Sequence, residues 1–255
     1  MPNRPYLGKE VSEIAMYKPH AAGTEGAVSC NNQYAADAGL EMMKKGGNAI
    51  DAAVAVSLVL GVVQPYHSGI GGGCFHIVYH KESNEFFAVD ARGVAPLGAW
   101  QDMFLDEDGG VDLNLTEFSG RATAVPAFYR AMDNVLKKYG TMTWKEVSEP
   151  AIRLCREGFA CGFAYARISD TPESEHNKAE YEGFAELYLN EGKPREYGEI
   201  ITNPDLADTL EGVARNGVDW FYIGPVADDI VKHVQKHKGI LVKEDLEKCT
   251  PIKRM

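Results

Sequence analysis

The sequence lacks an apolar run long enough to cross a membrane and lacks the cysteine pattern of a cross-linked or zinc-bound fold. Its longest apolar stretch, Ala49–Val63, is interrupted by Asp51 and falls short of the roughly 20 residues that a spanning helix needs. The five cysteines are scattered along the chain, and no pair has the C-x2-C spacing of zinc ligands. The N-terminal residues carry prolines and charges but no apolar signal-peptide core, which predicts a cytoplasmic protein.

Basic residues are too few for nucleic-acid binding. The chain has 26 Lys and Arg against 37 Asp and Glu, a net charge of -11, and no basic stripe offsets the repulsion of phosphate backbones. Its 255 residues predict one or two domains, and a hydrophobic content of 45% excludes a wholly disordered or collagen-like chain. We therefore expect a globular protein that binds neither nucleic acid nor membranes.

Hydrophobic spacing, caps and glycine stops predict a chain of helices with a few strands. The predicted helices are Gln33–Lys45, Ile50–Val63, 126–139, 143–157, an ambiguous one at 161–170, 203–215, and one within 220–236 interrupted near Gly224-Pro225. The predicted strands are Ala27–Ser29, Cys74–His80 and Glu85–Asp90, the last two forming a hairpin. Pro150 is expected to kink or split its helix, and Ser169–Lys193 is expected to lie at the surface.

A glycine cluster precedes the predicted hairpin. It contains Gly69, Gly71, Gly72 and Gly73, and so many residues without Cβ allow unusual backbone angles or a close approach of other backbone. A dinucleotide fingerprint does not fit, because Cys74 stands where the third glycine belongs and the cluster precedes a strand instead of opening a helix. The cluster therefore predicts a tight loop or one that brings backbone near a ligand.

Two further groups allow both a chemical and an ordinary interpretation. Cys74, His76 and His80 alternate along one strand and share a face, which suits a metal or nucleophilic site but equally a half-buried strand with a free thiol. Arg92, just beyond the hairpin, is either a bidentate ligand for a carboxylate or a surface arginine paired with Asp90. Taken alone, these residues indicate no assembled active site.

Several motifs in one order carry a resemblance that covers residues 26 to 249. They are Lys45-Gly46-Gly47-Asn48-Ala49-Ile50-Asp51-Ala52-Ala53, Ser68-Gly69-Ile70-Gly71-Gly72-Gly73, Asp90-x-Arg92 with Ala95-Pro96, and further along Lys138-Tyr139-Gly140, Pro150-Ala151, Phe221-Tyr222-Ile223-Gly224 and Glu244-Asp245-Leu246. This arrangement resembles the beginning of the large subunit of gamma-glutamyltranspeptidases, also called glutathione hydrolases.

The resemblance implies an α+β fold, the four-layer αββα sandwich of N-terminal-nucleophile hydrolases, to which this chain contributes the helix-rich N-terminal part. It implies a lead-in at residues 1–25 and a partial family domain at 26–255. In the family, a threonine exposed by self-cleavage attacks a γ-glutamyl amide, and water or an amino acid then resolves the acyl-enzyme. Such a threonine uses its own α-amine as base, and the oxyanion meets preorganised donors.

The resemblance assigns one residue of this chain to the substrate. Arg92 matches the arginine that holds the donor's α-carboxylate, and Gly69, Gly71, Gly72 and Gly73 are expected to shape the site beside it. The resemblance implies neither a cofactor nor a metal. No position matches the family's catalytic threonine or oxyanion glycines, so no catalytic residue is expected here, and a partner portion is expected to supply the nucleophile.

One position departs from the family pattern. Gly93 follows Arg92 where the family usually has glutamate, which leaves the acyl donor open. The expected function is therefore the large-subunit portion of an enzyme that hydrolyses or transfers γ-glutamyl groups of glutathione or related amides. The alternatives are another amidase or acylase of the same superfamily, and a non-catalytic remnant or assembly partner from a truncated or split gene.

Overall fold

The computed structural model describes residues 22–171 and 181–254. The helices are α1 Gln33–Lys44, α2 Ala49–Val63, α3 Leu113–Glu117, α4 Phe128–Tyr139, α5 Trp144–Glu157, α6 Phe163–Ile168, α7 Glu182–Tyr188, α8 Pro204–Asn216, α9 Asp219–Tyr222, α10 Pro225–Lys236 and α11 Lys243–Glu247. The strands are β1 Cys74–His80, β2 Glu85–Ala91, β3 Phe159–Ala160, β4 Leu189–Asn190, β5 Lys193–Pro194, β6 Ile200–Ile201 and β7 Ile252–Arg254. This mixture confirms the α+β class. Most of the predicted lead-in, residues 1–21, lies outside the described residues.

Gly46 and Asn48 mark the boundary between the first two helices, as predicted. Asn32 caps α1, and Gly46, with φ of +92°, adopts the left-handed conformation that follows its end. Asn48 begins α2 with a capping box, in which its side chain accepts the backbone N–H of Asp51 while the Asp51 carboxylate accepts the N–H of Asn48. The predicted pair of helices around Gly46 is confirmed.

Helix α2 forms the centre of the core. It packs against α1, α4 and α5, and Val54, Ala55 and Val59 are fully buried. Among the described residues, no helix is long and apolar enough to cross a membrane.

The main sheet has one covered and one bare face. Its strands run antiparallel in the order β1-β2-β7, and the predicted hairpin pairs Cys74 with Ala91. One face packs on α4 and buries Val78, Phe87 and Val89. Successive side chains of a strand alternate between faces, so the opposite set is exposed. We call this set the bare sheet face; it consists of Phe75, Ile77, Tyr79, Phe86 and Ile252.

Helix α4 begins two residues later than Pro126 predicts. The N–H groups of Ala127 and Phe128 both donate to the carbonyl of Gly72, at 3.0 Å each, so these hydrogen bonds hold the glycine loop at the N-terminus of the helix. The predicted split of α5 at Pro150 is also wrong, because one helix runs from Trp144 to Glu157. Pro150 is buried, and α5 packs along both α2 and α8, so tertiary packing stabilises the helix despite the missing hydrogen bond.

Two other predictions fail for reasons of packing. The predicted strand Ala27–Ser29 has no regular structure; its apolar Val28 packs against Gly39 of α1 instead of pairing with a strand. The segment Ser169–Lys193 is not wholly at the surface, because Ser169 is fully buried and Tyr188 and Leu189 are buried. The predicted interruption at Gly224-Pro225 is confirmed, since α9 ends at Tyr222 and α10 begins at Pro225.

Candidate functional site

A cavity of about 400 Å³ lies where the glycine loop meets the end of the hairpin. It is lined by the loop, the start of β1, Arg92 just after the end of β2, and side chains of α2 and α4. The lining residues are Ser57, Pro65, His67, Ser68, Gly69, Gly71, Gly72, Gly73, Cys74, Arg92, Phe128 and Met132. The structure thus brings together all five site residues singled out in the sequence.

The glycine loop needs a glycine at position 73 because another backbone segment comes close there, not because the loop has unusual backbone angles. None of its four glycines has φ in the left-handed region. A Cβ at Gly73 would lie 2.5 Å from the carbonyl oxygen of Ala91 and 3.1 Å from the Cα of Arg92. Gly69 and Gly71 face open space, with nothing within 4 Å of an added Cβ. Gly73 therefore fixes the distance between the loop and the backbone of Arg92.

Arg92 lines the cavity as an exposed residue. Its backbone N–H donates to Oδ1 of Asp90 at 3.1 Å. Within residues 22–171 and 181–254, its guanidinium has no hydrogen bond or ion pair. A guanidinium presents planar pairs of N–H donors that match a carboxylate, so Arg92 can bind an acid group in this cavity.

The alternative ion pair between Arg92 and Asp90 is wrong. The Asp90 carboxylate pairs instead with Arg254 of β7, whose Nη2 lies 2.7 Å and Nε 2.9 Å from Oδ2. These hydrogen bonds, and then the Arg92 backbone N–H, lower the pKa of Asp90 and keep its carboxylate charged. The sequence contains no signal for this pair, since Arg254 is 164 residues from Asp90.

Of the three alternating residues on β1, two lie together. Cys74 Sγ is 3.3 Å from His76 Nε2, whereas His80 bonds Ser83 Oγ through Nδ1 at 2.8 Å. Burial raises the pKa of the Cys74 thiol to about 11 and lowers that of His76, so at neutral pH both are uncharged. No group of three ligand-type side chains suited to a metal occurs within the described part of the chain.

The motif from Lys45 to Ala53, which carries the first part of the resemblance, holds helices together and does not line the cavity. Its Asp51 is fully buried and accepts hydrogen bonds from the N–H groups of Thr141 and Met142 at 3.0 Å, and from Thr141 Oγ1 at 2.7 Å. The carboxylate thereby joins the start of α2 to the turn between α4 and α5. It lies apart from the cavity lining.

Six cavity residues were not singled out from the sequence: Ser57, Pro65, His67, Ser68, Phe128 and Met132. His67 and Ser68 directly precede the glycine cluster, and this position in the sequence could have predicted that they line the cavity. Phe128 and Met132 are buried apolar residues on α4, whose spacing does not distinguish a cavity wall from ordinary core.

The Gamma-glutamyltranspeptidase family model matches residues 35–253 of this chain. The chain is 36% identical over 236 residues to the glutathione hydrolase proenzyme of Escherichia coli, covering 90% of this chain and 39% of that relative. It is 36% identical over 233 residues to the Bacillus subtilis glutathione hydrolase proenzyme, covering 91% of this chain and again 39% of the relative. The chain thus spans about two fifths of the length of these relatives.

Solved structures give the same result. The Helicobacter pylori gamma-glutamyltranspeptidase superposes with a TM-score of 0.88 at 34% identity, over 92% of this chain and 67% of that one. A cephalosporin acylase from Bacillus halodurans gives a TM-score of 0.71 at 29% identity, over 87% of this chain and 41% of that one. These likenesses confirm the predicted fold, with this chain as its N-terminal part. Matching sequence, fold and motif order lead to one conclusion: the chain belongs to the gamma-glutamyltranspeptidase family.

Proposed function

We propose that this chain is the large-subunit portion of an enzyme that hydrolyses or transfers γ-glutamyl groups from glutathione or related amides. Arg92 binds the α-carboxylate of the γ-glutamyl group, and Gly69, Gly71, Gly72 and Gly73 shape the space beside it. The observation that carries the proposal is an exposed arginine without an ion-pair partner in the described part of the chain, lining a 400 Å³ cavity in a member of this family.

The nucleophile comes from a portion of the enzyme beyond this chain. Cys74 lines the cavity, but a thiol whose burial raises its pKa to about 11 is almost entirely protonated at neutral pH and is a poor nucleophile. Within the described residues, no hydrogen bond joins the Ser68 hydroxyl to an imidazole that could act as its base. This agrees with the family's use of an N-terminal threonine outside the region matched here.

In the proposed reaction, this chain contributes binding and orientation. Arg92 holds the carboxylate end of the substrate, which fixes the position of the γ-amide at the other end of the glutamyl group relative to the incoming nucleophile. The cavity wall of Phe128 and Met132 is apolar and excludes water from part of the bound group. The acyl-enzyme then passes its γ-glutamyl group to water or to an amino acid.

The acyl donor is less narrowly defined than the family because of Gly93. A Cβ at position 93 would lie 3.0 Å from the Ala124 Cβ and 3.1 Å from the Val125 carbonyl oxygen, so a glutamate there would require this segment to move. The likeness to a cephalosporin acylase supports another amidase or acylase activity as the alternative. The third alternative, a non-catalytic remnant, is distinguished by assay.

The assay uses γ-glutamyl-p-nitroanilide. The 255-residue chain alone is expected to show no hydrolysis, and turnover by it would overturn the assignment of the nucleophile to another portion. Addition of the remaining portion of the enzyme is expected to restore activity. Its failure to do so would support the remnant, and activity on other acyl amides alone would support the acylase.

The substitution Arg92→Ala tests the binding role directly. In the assembled enzyme we expect KM to rise at least tenfold, which is about 1.4 kcal/mol of lost binding, because the substrate carboxylate loses its charged partner. Arg156→Ala, which removes a surface arginine paired with Asp208 and Glu211, serves as the matched control and leaves KM unchanged. An unchanged KM in Arg92→Ala would contradict the proposal.

The remaining portion of the enzyme is also expected to cover the bare sheet face, either within the same polypeptide or as a separate chain. The cytoplasmic location expected from the N-terminal residues stays a prediction, as does the division into a lead-in at 1–25 and a domain at 26–255.

A further inference from the structure

Asp90 is the anion closest in sequence to the arginine that the proposed function assigns to the substrate. The two residues are separated only by Ala91 at the end of β2. An arginine and a carboxylate in reach of each other form strong, bidentate hydrogen bonds. An ion pair with Asp90 would therefore occupy the donors that Arg92 needs for a substrate carboxylate.

The structure shows how this pairing is avoided. Each oxygen of Asp90 already accepts a hydrogen bond: Oδ2 from the guanidinium of Arg254, which also pairs with the negative charge, and Oδ1 from the backbone N–H of Arg92. Only 20% of the Asp90 side chain is exposed, so solvent screens it less than a fully exposed carboxylate. Asp90 thus holds the backbone of Arg92 and leaves its side chain unpaired.

The position of Arg254 follows from the strand register. Asp90 pairs with Ile252 and Ala88 with Arg254 across the antiparallel strands, so Arg254 is the diagonal neighbour of Asp90 on the same face. Diagonal neighbours are within reach of a long side chain. On the opposite side of β2 from β7, Gly73 lies close to the backbone from Ala91 to Gly93. The Arg92 backbone is held from two directions.

We propose that Asp90 and Arg254 form a positioning pair for Arg92. Arg254 forms an ion pair with the charged Asp90 carboxylate, and Asp90 fixes the Arg92 backbone, so that the Arg92 guanidinium stays available to the substrate carboxylate. This inference rests on the proposed substrate role of Arg92. It assigns a role in the site to Arg254, which does not line the cavity itself.

The first test is Arg254→Ala in the assembled enzyme, assayed with γ-glutamyl-p-nitroanilide. Without Arg254, Oδ2 of Asp90 becomes a competitor for the Arg92 guanidinium. We expect KM to rise about five- to tenfold while kcat stays within about twofold, because the reacting groups are untouched. Arg254→Lys keeps the charge and is expected to recover most of the KM change. Arg254→Gln, which keeps much of the side-chain length, replaces Arg254→Ala if that variant does not assemble.

The second test separates positioning from a merely structural link between β2 and β7. In the double variant Asp90→Asn, Arg254→Ala, the amide oxygen of the introduced asparagine still accepts the Arg92 N–H but carries no charge that competes for the guanidinium. We expect its KM to return to within about twofold of the unsubstituted enzyme. If the pair only clamped the strands, the double variant would be at least as impaired as Arg254→Ala. That result, or an unchanged KM in Arg254→Ala, would overturn the inference.

Arg92→Ala, measured in parallel, tells apart failure of this inference from failure of the proposed function. If Arg92→Ala raises KM and Arg254→Ala does not, only the positioning role is wrong. If Arg92→Ala leaves KM unchanged, the substrate role of Arg92 fails, and the positioning pair fails with it.

Discussion

At the scale of single residues, the position of the Arg92 backbone depends on a neighbouring residue that has no side chain. Gly73 allows the loop to reach the end of β2 only because it has no side chain. Gly71, two residues earlier, lines the same cavity but faces open space. The glycine cluster therefore contains a position that excludes a side chain, Gly73, and positions that tolerate one, Gly69 and Gly71.

Alanine substitutions at these two positions are expected to differ. Gly73→Ala places a methyl group against the backbone of Ala91, Arg92 and Gly93, which cannot yield as a flexible side chain would. We expect it to cost about 1–3 kcal/mol of unfolding free energy and to raise KM in the assembled enzyme. Gly71→Ala is the matched control and is expected to change stability by less than about 0.5 kcal/mol. Urea unfolding measures both, and equal stability of the two variants would contradict the close approach at Gly73.

At the scale of elements, Asp51 joins three helices through one buried carboxylate. It caps the start of α2 and accepts hydrogen bonds from the turn between α4 and α5. A carboxylate that is fully buried is stabilised only if such donors surround it, and without it the donors would lose their partner. This side chain therefore links the start of α2 to the turn that connects α4 and α5.

The substitution Asp51→Ala is therefore expected to destabilise the chain by about 1–3 kcal/mol, because the N–H groups of Thr141 and Met142 lose their acceptor and α2 loses the carboxylate of its capping box. Asp229→Ala, at an exposed aspartate on α10, is the control and is expected to stay within about 0.5 kcal/mol of the unsubstituted chain. The midpoints of urea unfolding compare them. A loss below about 1 kcal/mol for Asp51→Ala would show that α2 and the turn are held by other contacts.

The elements that the sequence predicts correctly are those whose signals are local. Gly46 and Asn48 lie within a few residues of the helix ends that they determine. The split at Pro150 and the strand at Val28 were predicted wrongly because the outcome depends on partners distant in sequence: α5 packs between other helices, and Val28 contacts α1. Local sequence predicts where a helix or strand begins and ends. Tertiary packing decides whether a segment with an interrupted or short pattern still forms that element.

The same distinction applies to the candidate site. Arg92 and the four glycines were singled out from the sequence and assigned to the site through the resemblance, whose motifs are contiguous stretches of sequence. Arg254 was not identified, because only the pairing of β7 with β2 brings it to Asp90. Likewise, α4 contributes Phe128 and Met132 to the cavity only through its tertiary position.

At the scale of the whole molecule, the bare sheet face is the main feature that the described fold leaves unpacked. Ile77 is 87% exposed, Phe86 72% and Phe75 65%. Single apolar residues are common on protein surfaces, but a contiguous patch marks a surface that another structure covers. Since the chain spans 39% of the length of the relatives it matches, the remaining portion of the proposed enzyme is the occupant that we expect.

The substitution Ile77→Asp tests this expectation because it separates assembly from folding. The side chain is almost fully exposed, so we expect the thermal stability of the chain alone to change by less than about 0.5 kcal/mol. Against the remaining portion of the enzyme, the same charge would be buried without a partner, and co-purification is expected to fall at least tenfold. Tyr197→Asp, at a residue 76% exposed in the loop between β5 and β6, is the matched control and leaves co-purification unchanged. If Ile77→Asp assembles as well as Tyr197→Asp does, the bare sheet face is not the surface on which the two portions meet.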